Sequence, residues 1–150
     1  KSVQTVGVFV NESVENIKQI AELVDLDVIQ LHGDEPPEMI NELPYQTIKA
    51  FSIDQVDAQT IHSYSADYYL IDSPIGEHRG GTGKTFNWKR ATDLGIDLNK
   101  VILAGGLSPS NVEAAIRQVR PVGIDVSSGV ETNGKKDHEK IKQFIRNAKG

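Results

Sequence analysis

The chain of 150 residues has the length of one domain and is too short for two of ordinary size. Apolar residues make up 38% and charged residues 25% of it, which is the balance of a globular protein with a buried core. Its 16 basic and 21 acidic residues give a net charge of −5, which argues against nucleic acid or an anionic membrane surface as a general partner. The 150 residues include no cysteine, so a thiolate nucleophile, a disulfide and a zinc–thiolate site are excluded within them.

The sequence carries no pattern of a membrane or secreted protein. No stretch approaches the roughly 18 continuous apolar residues that a membrane-spanning helix needs. The opening segment KSVQTVGVFV lacks the small-residue cleavage pattern and the apolar region of a signal peptide. Because the sequence begins with Lys1 rather than Met, we expect it to be an excised or processed piece of a longer product.

Six short apolar runs recur along the chain, and a polar turn and a helix-like pattern follow most of them. The runs are TVGVFV near residue 5, DVIQLH near 27, QTIKAF near 46, DYYLID near 67, KVILAG near 100 and VGIDVS near 122. They are rich in β-branched residues and apolar on both faces, which is typical of buried parallel strands.

Three amphipathic helices are predicted between and after these runs. The residue types at Ser13, at Ser108 followed by Pro109, and at Asp137 favour helix starts. Each start precedes an apolar stripe at helical spacing. The stripes are Ile17, Ile20, Ala21 and Val24; Val112, Ala115, Ile116 and Val119; and Ile141, Phe144, Ile145 and Ala148. Residues 36–43 and 54–63 fit shorter helices.

Alternation of strands and helices predicts a parallel sheet with right-handed crossovers. Two α/β architectures fit six units: part of a (β/α)8 barrel, or an open doubly wound, flavodoxin-like sheet. A whole barrel needs at least about 200 residues, so eight units do not fit this chain. We therefore expect one domain over residues 1–150, with unpaired sheet edges at Val6–Val10 and Gly123–Val126. Such exposed edges favour self-association.

Candidate site residues lie in the loops after the strands, because α/β proteins place their chemistry at the carboxyl ends of parallel strands. Asp72 ends the fourth run and opens the longest loop, SPIGEHRGGTGKTF. Two further loops contribute Gly105 and Gly106 after the fifth run, and Asp125, Ser128 and Gly129 after the sixth. Neighbouring turns of this kind are suited to phosphate, since glycine lets a phosphate approach backbone N–H groups and a helix N-terminus adds positive charge.

Two other segments are assigned no site. The run GGTGKT does not fit a nucleotide-binding P-loop, because His78 stands where that motif has its first glycine. It also fails the dinucleotide motif GxGxxG, since Phe86 occupies the last glycine position. Lys135, Lys136 and His138 are interpreted as solvated charges ahead of the last helix.

Four motifs together resemble the phosphoribosylanthranilate isomerase family. They are QLHGDEP (30–36), GGTGKTFNW (80–88), LAGGLSPSNV (103–112) and DVSSGVETNGKKDHEKI (125–141), within a resemblance that runs from Val6 to Lys149. The resemblance implies units three to eight of a (β/α)8 barrel, in a cytoplasmic enzyme of tryptophan biosynthesis with a phosphorylated small-molecule substrate. It implies an Amadori rearrangement in which the ribose ring of N-(5-phosphoribosyl)anthranilate opens and isomerises to the 1-deoxyribulose phosphate. No metal or organic cofactor is implied.

The same resemblance implies roles for the candidate residues. Asp72 is the general acid that protonates the ring oxygen, and Asp125 lies near a sugar hydroxyl. The phosphate-binding turns are Gly105, Gly106, Ser128 and Gly129. Each role has a simpler alternative: a loop cap for Asp72, a buried structural carboxylate for Asp125, and plain turn chemistry for the glycines and serine. His32 also lies at a strand end, but a lone histidine more often orients or packs, so we assign it no catalytic role.

The departures from the family pattern are as informative as the match. The family begins with two further β-α units, which supply a general-base cysteine in a Lys-x-Cys-Gly motif and an arginine for the substrate. Neither has a counterpart in this chain, so we expect the chain alone to be inactive. The alternative function is a non-catalytic phosphate-binding or receiver-like α/β module. A receiver requires paired acidic residues after its first strand, where this sequence has GVFVN ending at Asn11.

Overall fold

The computed structural model describes residues 3–72 and 88–150. Within these ranges the main strands are β1 (Val6–Phe9), β2 (Val28–Leu31), β3 (Gln46–Ser52), β4 (Tyr68–Asp72), β5 (Val101–Ala104) and β6 (Gly123–Ile124). The helices are α1 (Val14–Leu23), α2 (Pro37–Asn41), α3 (Ala58–His62), α4 (Lys89–Asp93), α5 (Val112–Val119) and α6 (His138–Lys149). A hairpin of β7 (Glu131–Thr132) and β8 (Lys135–Lys136) precedes α6, and the loop motif GGTGKT lies outside the described residues.

The six main strands form one parallel sheet in the order in which they occur along the chain. In a doubly wound sheet the order in which strands are added reverses part-way, and helices therefore lie on both faces. Right-handed crossovers that always advance in the same direction instead place every helix on one face. The doubly wound, flavodoxin-like alternative is therefore wrong, and the described residues form a six-stranded half-barrel.

The two faces of the sheet have different neighbours. The helix-facing cluster joins strand residues such as Ile29, Ile71 and Leu103 to helix residues such as Ile17 and Ala115. The opposite face holds a second cluster whose members all lie on strands: Val28, Ile48, Ala50, Leu70 and Ala104, with Tyr68 and Ile102 packed against them. Strand alternation therefore separates a helix-covered face from an open face.

Two of the three predicted helix starts are confirmed. Ser13 accepts a hydrogen bond from the backbone N of Asn16 at 3.3 Å, and Asp137 caps α6. The third start is wrong by several residues, because α5 begins at Val112 rather than after Ser108. Ser108 instead opens a turn in which its carbonyl accepts from Val112 N at 3.1 Å. The shorter helices predicted within residues 36–43 and 54–63 correspond to α2 and α3.

Both predicted sheet edges are confirmed within the described ranges, since β1 and β6 each pair with a strand on one side only. At the β1 edge, Val6, Val8 and Val10 are 44%, 57% and 63% exposed. At the β6 edge lies an apolar groove of about 710 Å³. Its lining includes Ile116, Val122, Ile124, Val126, Phe144 and Ile145.

Candidate active site

Asp72 is the last residue of β4, near the middle of the sheet. The strand register places it beside Ser52 of β3 and Ala104 of β5. It follows Leu70 by two residues and so shares the open face of the sheet with it. Its side chain is half-buried at the carboxyl ends of the strands, where the sequence predicted the site.

The surroundings of Asp72 favour its neutral form. Burial raises the pKa of the Asp72 carboxyl above its ordinary value of 3.8, and the charge of Asp125 raises it further. The charge of His32 acts in the opposite direction but does not cancel the increase. A raised pKa keeps a proton available at higher pH, which a general acid requires. The alternative role as a cap concerns the loop after Asp72, which lies outside the described residues.

His32 continues β2 into the same end of the sheet. Its backbone N donates to the carbonyl of Phe9 at 2.8 Å, so the strand ladder extends to this residue. Its imidazole Nδ1 lies 2.9 Å from the side-chain amide nitrogen of Gln30. Whenever the ring is neutral and Nδ1 accepts from this amide nitrogen, the ring proton is on Nε2. The contact with Gln30 therefore holds the orientation of the His32 ring.

The first candidate phosphate turn follows β5. Gly105 and Gly106 have φ angles of 81° and 61°, a left-handed conformation that glycine adopts without strain. Asn111 holds this turn from both sides: its Nδ2 donates to the Gly106 carbonyl at 3.0 Å, and its Oδ1 accepts from Ser108 N at 2.8 Å. Asn111 therefore orders this turn, and it precedes α5 at the place where the sequence predicted Ser108 to cap the helix.

The second candidate turn, after β6, lies directly against the first. A Cβ atom on Gly129 would be 1.8 Å from the carbonyl oxygen of Leu107 and 3.2 Å from Cα of Ser108. Only glycine allows this approach of the two backbones. Ser128 is exposed at the start of a short 3-10 helix in the same turn. The structure therefore brings together the two loops that the sequence paired.

Asp125 is exposed at the open end of β6. Its backbone N donates to the Leu103 carbonyl at 2.9 Å, which holds the residue next to the end of β5. The alternative of a buried structural carboxylate is wrong, because Asp125 follows a two-residue edge strand that nothing covers on its outer side within the described ranges.

Two features of this end of the sheet were missed or misjudged from the sequence. Lys136 is not merely a solvated charge: its Nζ donates to the Ser127 carbonyl at 2.9 Å and pairs with Glu131 at 2.6 Å, which braces the turn before Ser128. Glu35 and Lys49 form a buried ion pair at 3.3 Å. The available signal was a lysine inside the apolar run QTIKAF, where a charge is unusual.

Two kinds of feature are absent from the part of the chain that the structure describes. No group of three or more histidine, aspartate or glutamate side chains could hold a metal ion there. No helix in the same ranges is long and apolar enough to cross a membrane.

A family model described as N-(5'-phosphoribosyl)anthranilate (PRA) isomerase matches residues 1–147. The chain belongs to the PRA isomerase family. A relative named N-(5'-phosphoribosyl)anthranilate isomerase, from Bacillus cereus, is 52% identical over 150 residues, which cover 99% of this chain and 74% of that protein. The resemblance seen in the four motifs is therefore confirmed, and the receiver-like alternative is wrong.

Solved structures of the PRA isomerase family share the fold. The phosphoribosyl anthranilate isomerase of Thermotoga maritima matches with a TM-score of 0.80 and 41% identity, over 99% of this chain and 74% of that one. A phosphoribosyl anthranilate isomerase structure in complex with reduced 1-(o-carboxyphenylamino)-1-deoxyribulose 5-phosphate matches with a TM-score of 0.76 and 38% identity. The match covers 99% of this chain and 72% of that one. That relative therefore binds a phosphorylated sugar derivative.

Proposed function

We propose that this chain supplies the general acid and the phosphate-binding turns for isomerisation of N-(5'-phosphoribosyl)anthranilate in tryptophan biosynthesis. The observation that carries the proposal is the position of Asp72, half-buried at the carboxyl ends of the strands with its pKa raised mainly by burial. Membership of the PRA isomerase family and the complex of a relative with a reduced 1-deoxyribulose 5-phosphate support the same reaction.

In this proposal Asp72 protonates the ribose ring oxygen while the anthranilate nitrogen lone pair pushes out the C1–O bond. The product of that step is an open-chain iminium ion. A base then removes the C2 proton, and the resulting enolamine gains a proton at C1 and loses its enol O–H proton to give the ketone. Two groups are therefore needed, one to give and one to take a proton.

The phosphate of the substrate is proposed to sit on the turns formed by Gly105, Gly106, Ser128 and Gly129. A net charge of −5 makes the protein as a whole unattractive to an anion, so a local site must supply the attraction. Left-handed glycines expose backbone N–H groups that can donate to phosphate oxygens. Asp125, exposed beside these turns, is the proposed partner of a sugar hydroxyl.

Titration of the chain with inorganic phosphate, followed by amide NMR shifts, tests this site. We expect the shifts to concentrate in the two turns and to disappear in Gly129→Ala, whose Cβ would collide with the Leu107 backbone. Gly123→Ala is the matched control, since its Cβ would make an ordinary 3.5 Å contact with Ile102. Shifts elsewhere and none in the turns would remove the phosphate assignment.

We further propose that the six strands are units three to eight of an eight-unit barrel. The consecutive parallel order, the two open edges and the match to 74% of the length of relatives support this. The family resemblance places the base cysteine and the substrate arginine in two further units, and these 150 residues contain no cysteine. The chain alone is therefore proposed to be inactive, because each missing acid–base group typically accounts for about 10²–10⁴-fold in rate.

Reconstitution tests the catalytic proposal. The first two β-α units of a relative are supplied in trans, and turnover of phosphoribosylanthranilate is followed by loss of its fluorescence. We expect no turnover from the chain alone, measurable turnover from the mixture, and a loss of about 10²–10⁴-fold in the mixture that carries Asp72→Asn. The control variant is Asp93→Asn, an exposed α4 residue that pairs with Lys89.

Two results would contradict parts of the proposal separately. Substantial turnover by the chain alone would show that a group within these 150 residues serves as the base. Full turnover by the Asp72→Asn mixture would remove Asp72 from the mechanism while leaving the family assignment intact.

A further inference from the structure

One charged pair lies buried on the helix-facing side of the sheet, away from the candidate active site. Lys49 of β3 and Glu35 are each 2% exposed, and their charged atoms are 3.3 Å apart. Taking two charges out of water is costly, and an apolar pair of similar volume is often as stable or more so. The contacts that this pair makes therefore indicate what it is for.

The Lys49 ammonium is directed mainly at backbone oxygens near the end of β2. It donates to the carbonyl of Gly33 at 2.8 Å and lies 3.4 Å from that of Leu31, while a third contact reaches Ala50 O at 3.0 Å. The rings of Phe51 and Tyr64 lie 5.1 and 5.7 Å from it. The three N–H donors of the ammonium are thereby satisfied. Two of the acceptors, the carbonyls of Leu31 and Gly33, belong to the residues before and after His32 in the chain.

The Glu35 carboxylate holds the same turn through backbone N–H groups. It accepts from Gly33 N at 2.9 Å and from Asn11 N at 2.9 Å. Burial disfavours the charged form, but the Asn11 hydrogen bond and the Lys49 charge outweigh it, so the pKa of Glu35 is lowered. The pair thus binds both the amide and the carbonyl of Gly33.

Asn11 and Gly33 show how tightly this turn is built. A Cβ on Gly33 would lie 2.4 Å from Oδ1 of Asn11 and 2.9 Å from its backbone N. Asn11 itself has a left-handed φ of 53°, and its Oδ1 accepts from Asp34 N at 2.7 Å. The ends of β1 and β2 are therefore clamped together next to His32.

We propose that Glu35 and Lys49 are positioning residues that fix the turn at Gly33 and, through it, the place of the His32 imidazole at the end of β2. His32 is bonded on one side to β1 through its backbone and on the other to Gln30 through its ring. The buried pair completes this frame from the opposite face of the sheet. The inference rests on the proposed role of Asp72 for its catalytic meaning, but its geometry does not depend on that role.

NMR of the 150-residue chain tests the proposal without any need for activity. In the double variant Glu35→Gln/Lys49→Met no buried charge is left unpaired, but the bonds from Lys49 to Gly33 and Leu31 are lost. We expect the imidazole ¹⁵N shifts of His32 to lose their one-sided tautomer pattern. We also expect the Asp72 pKa, measured by ¹³C NMR, to rise as the opposing charge of His32 moves away.

The matched control carries the same two substitutions at an exposed pair. Glu139→Gln/Lys142→Met removes an ion pair of 2.9 Å on α6 whose side chains are 81% and 66% exposed. It should change neither the imidazole ¹⁵N shifts of His32 nor the pKa of Asp72. In a chain that also carries His32→Asn, Glu35→Gln/Lys49→Met should not change the pKa of Asp72 any further, because the Glu35–Lys49 pair acts through His32.

A milder variant covers the case in which the double variant does not fold. Asn11→Gly keeps the left-handed backbone but removes the side chain that contacts Gly33 and Asp34. It should change the imidazole ¹⁵N shifts of His32 and the pKa of Asp72 in the same directions as the double variant, by a smaller amount. Unchanged imidazole ¹⁵N shifts of His32 and an unchanged pKa of Asp72 in a folded variant would overturn the positioning role. Failure of Asp72→Asn to lower turnover in the reconstituted enzyme would instead overturn the acid assignment and leave the NMR result standing.

Discussion

At the scale of single residues, the protonation of the Asp72 carboxyl depends on the groups that surround it. An exposed aspartate is ionised at neutral pH and gives away no proton. At the end of β4 burial and the neighbouring Asp125 both oppose ionisation, whereas His32 favours it. The balance of these groups sets how much protonated Asp72 is present at working pH, and so links the packing of the strand ends to the proposed acid step.

The raised pKa of Asp72 makes a prediction about stability. In the unfolded chain the carboxyl titrates near 3.8, and in the folded chain it titrates higher, so ionisation destabilises the fold once the pH exceeds both values. We expect Asp72→Asn to increase the free energy of unfolding at pH 7, and this gain to vanish as the pH is lowered towards 3.8. Urea denaturation across that pH range measures it, and a gain that is constant with pH would show that ionisation of Asp72 is not its cause.

At the scale of secondary-structure elements, α6 shows how a helix start and a hairpin stabilise each other. The Asp137 carboxylate accepts from the Thr132 hydroxyl at 2.7 Å and from Glu139 N at 3.0 Å. The hydrogen bond from Thr132, followed by those from backbone N–H groups at the helix start, lowers the pKa of Asp137. One side chain therefore joins the β7–β8 hairpin to α6, next to the Ser128 turn.

Removing that cap should have the opposite pH dependence from the change at Asp72. Because the folded pKa of Asp137 is lowered, its contribution to stability is present above about 3.8 and is lost as the pH falls through the folded value. We expect Asp137→Ala to lower the free energy of unfolding at pH 7 and to have progressively less effect below pH 3.8. Asp93→Ala, which removes an exposed i,i+4 partner of Lys89, is the control and should have little effect at either pH.

At the scale of the whole molecule, the half-barrel leaves two unlike surfaces open within the described ranges. The β1 edge has unpaired backbone groups and a row of exposed valines on the open face of the sheet. The β6 edge borders the apolar groove between α5 and α6. Exposed strand edges of this kind are templates for pairing with another chain. They are also the surfaces that further β-α units would cover in the proposed barrel.

We expect the chain alone to self-associate through these edges. Val8→Lys places a charge at the middle of the exposed β1 row and should shift the molecular mass from light scattering towards the monomer. Leu23→Lys is the matched control, since Leu23 is 81% exposed at the end of α1 and does not belong to the sheet. A clean monomer of the unaltered chain at high concentration would contradict the prediction.

The sequence alone determined the parts of this protein that depend on local pattern. Apolar runs and helix spacing located the six strands and the main helices, because burial and chain periodicity are written in neighbouring residues. The glycine-rich turns and Asp72 stood out because parallel strands always direct their carboxyl ends to one edge. The four motifs sufficed for the family, and the capping residues Ser13 and Asp137 identified two of the helix starts.

The tertiary structure decided what depends on residues far apart in the chain. It chose the consecutive strand order over the doubly wound one, since both have the same local pattern. It showed that Asn111 orders the first turn, and that the backbone of Gly129 lies against that of Leu107. It also revealed the partner of the buried Lys49. These contacts join different strand ends, and the physical reason they were not predicted is that distance and burial are fixed only when the whole sheet is assembled.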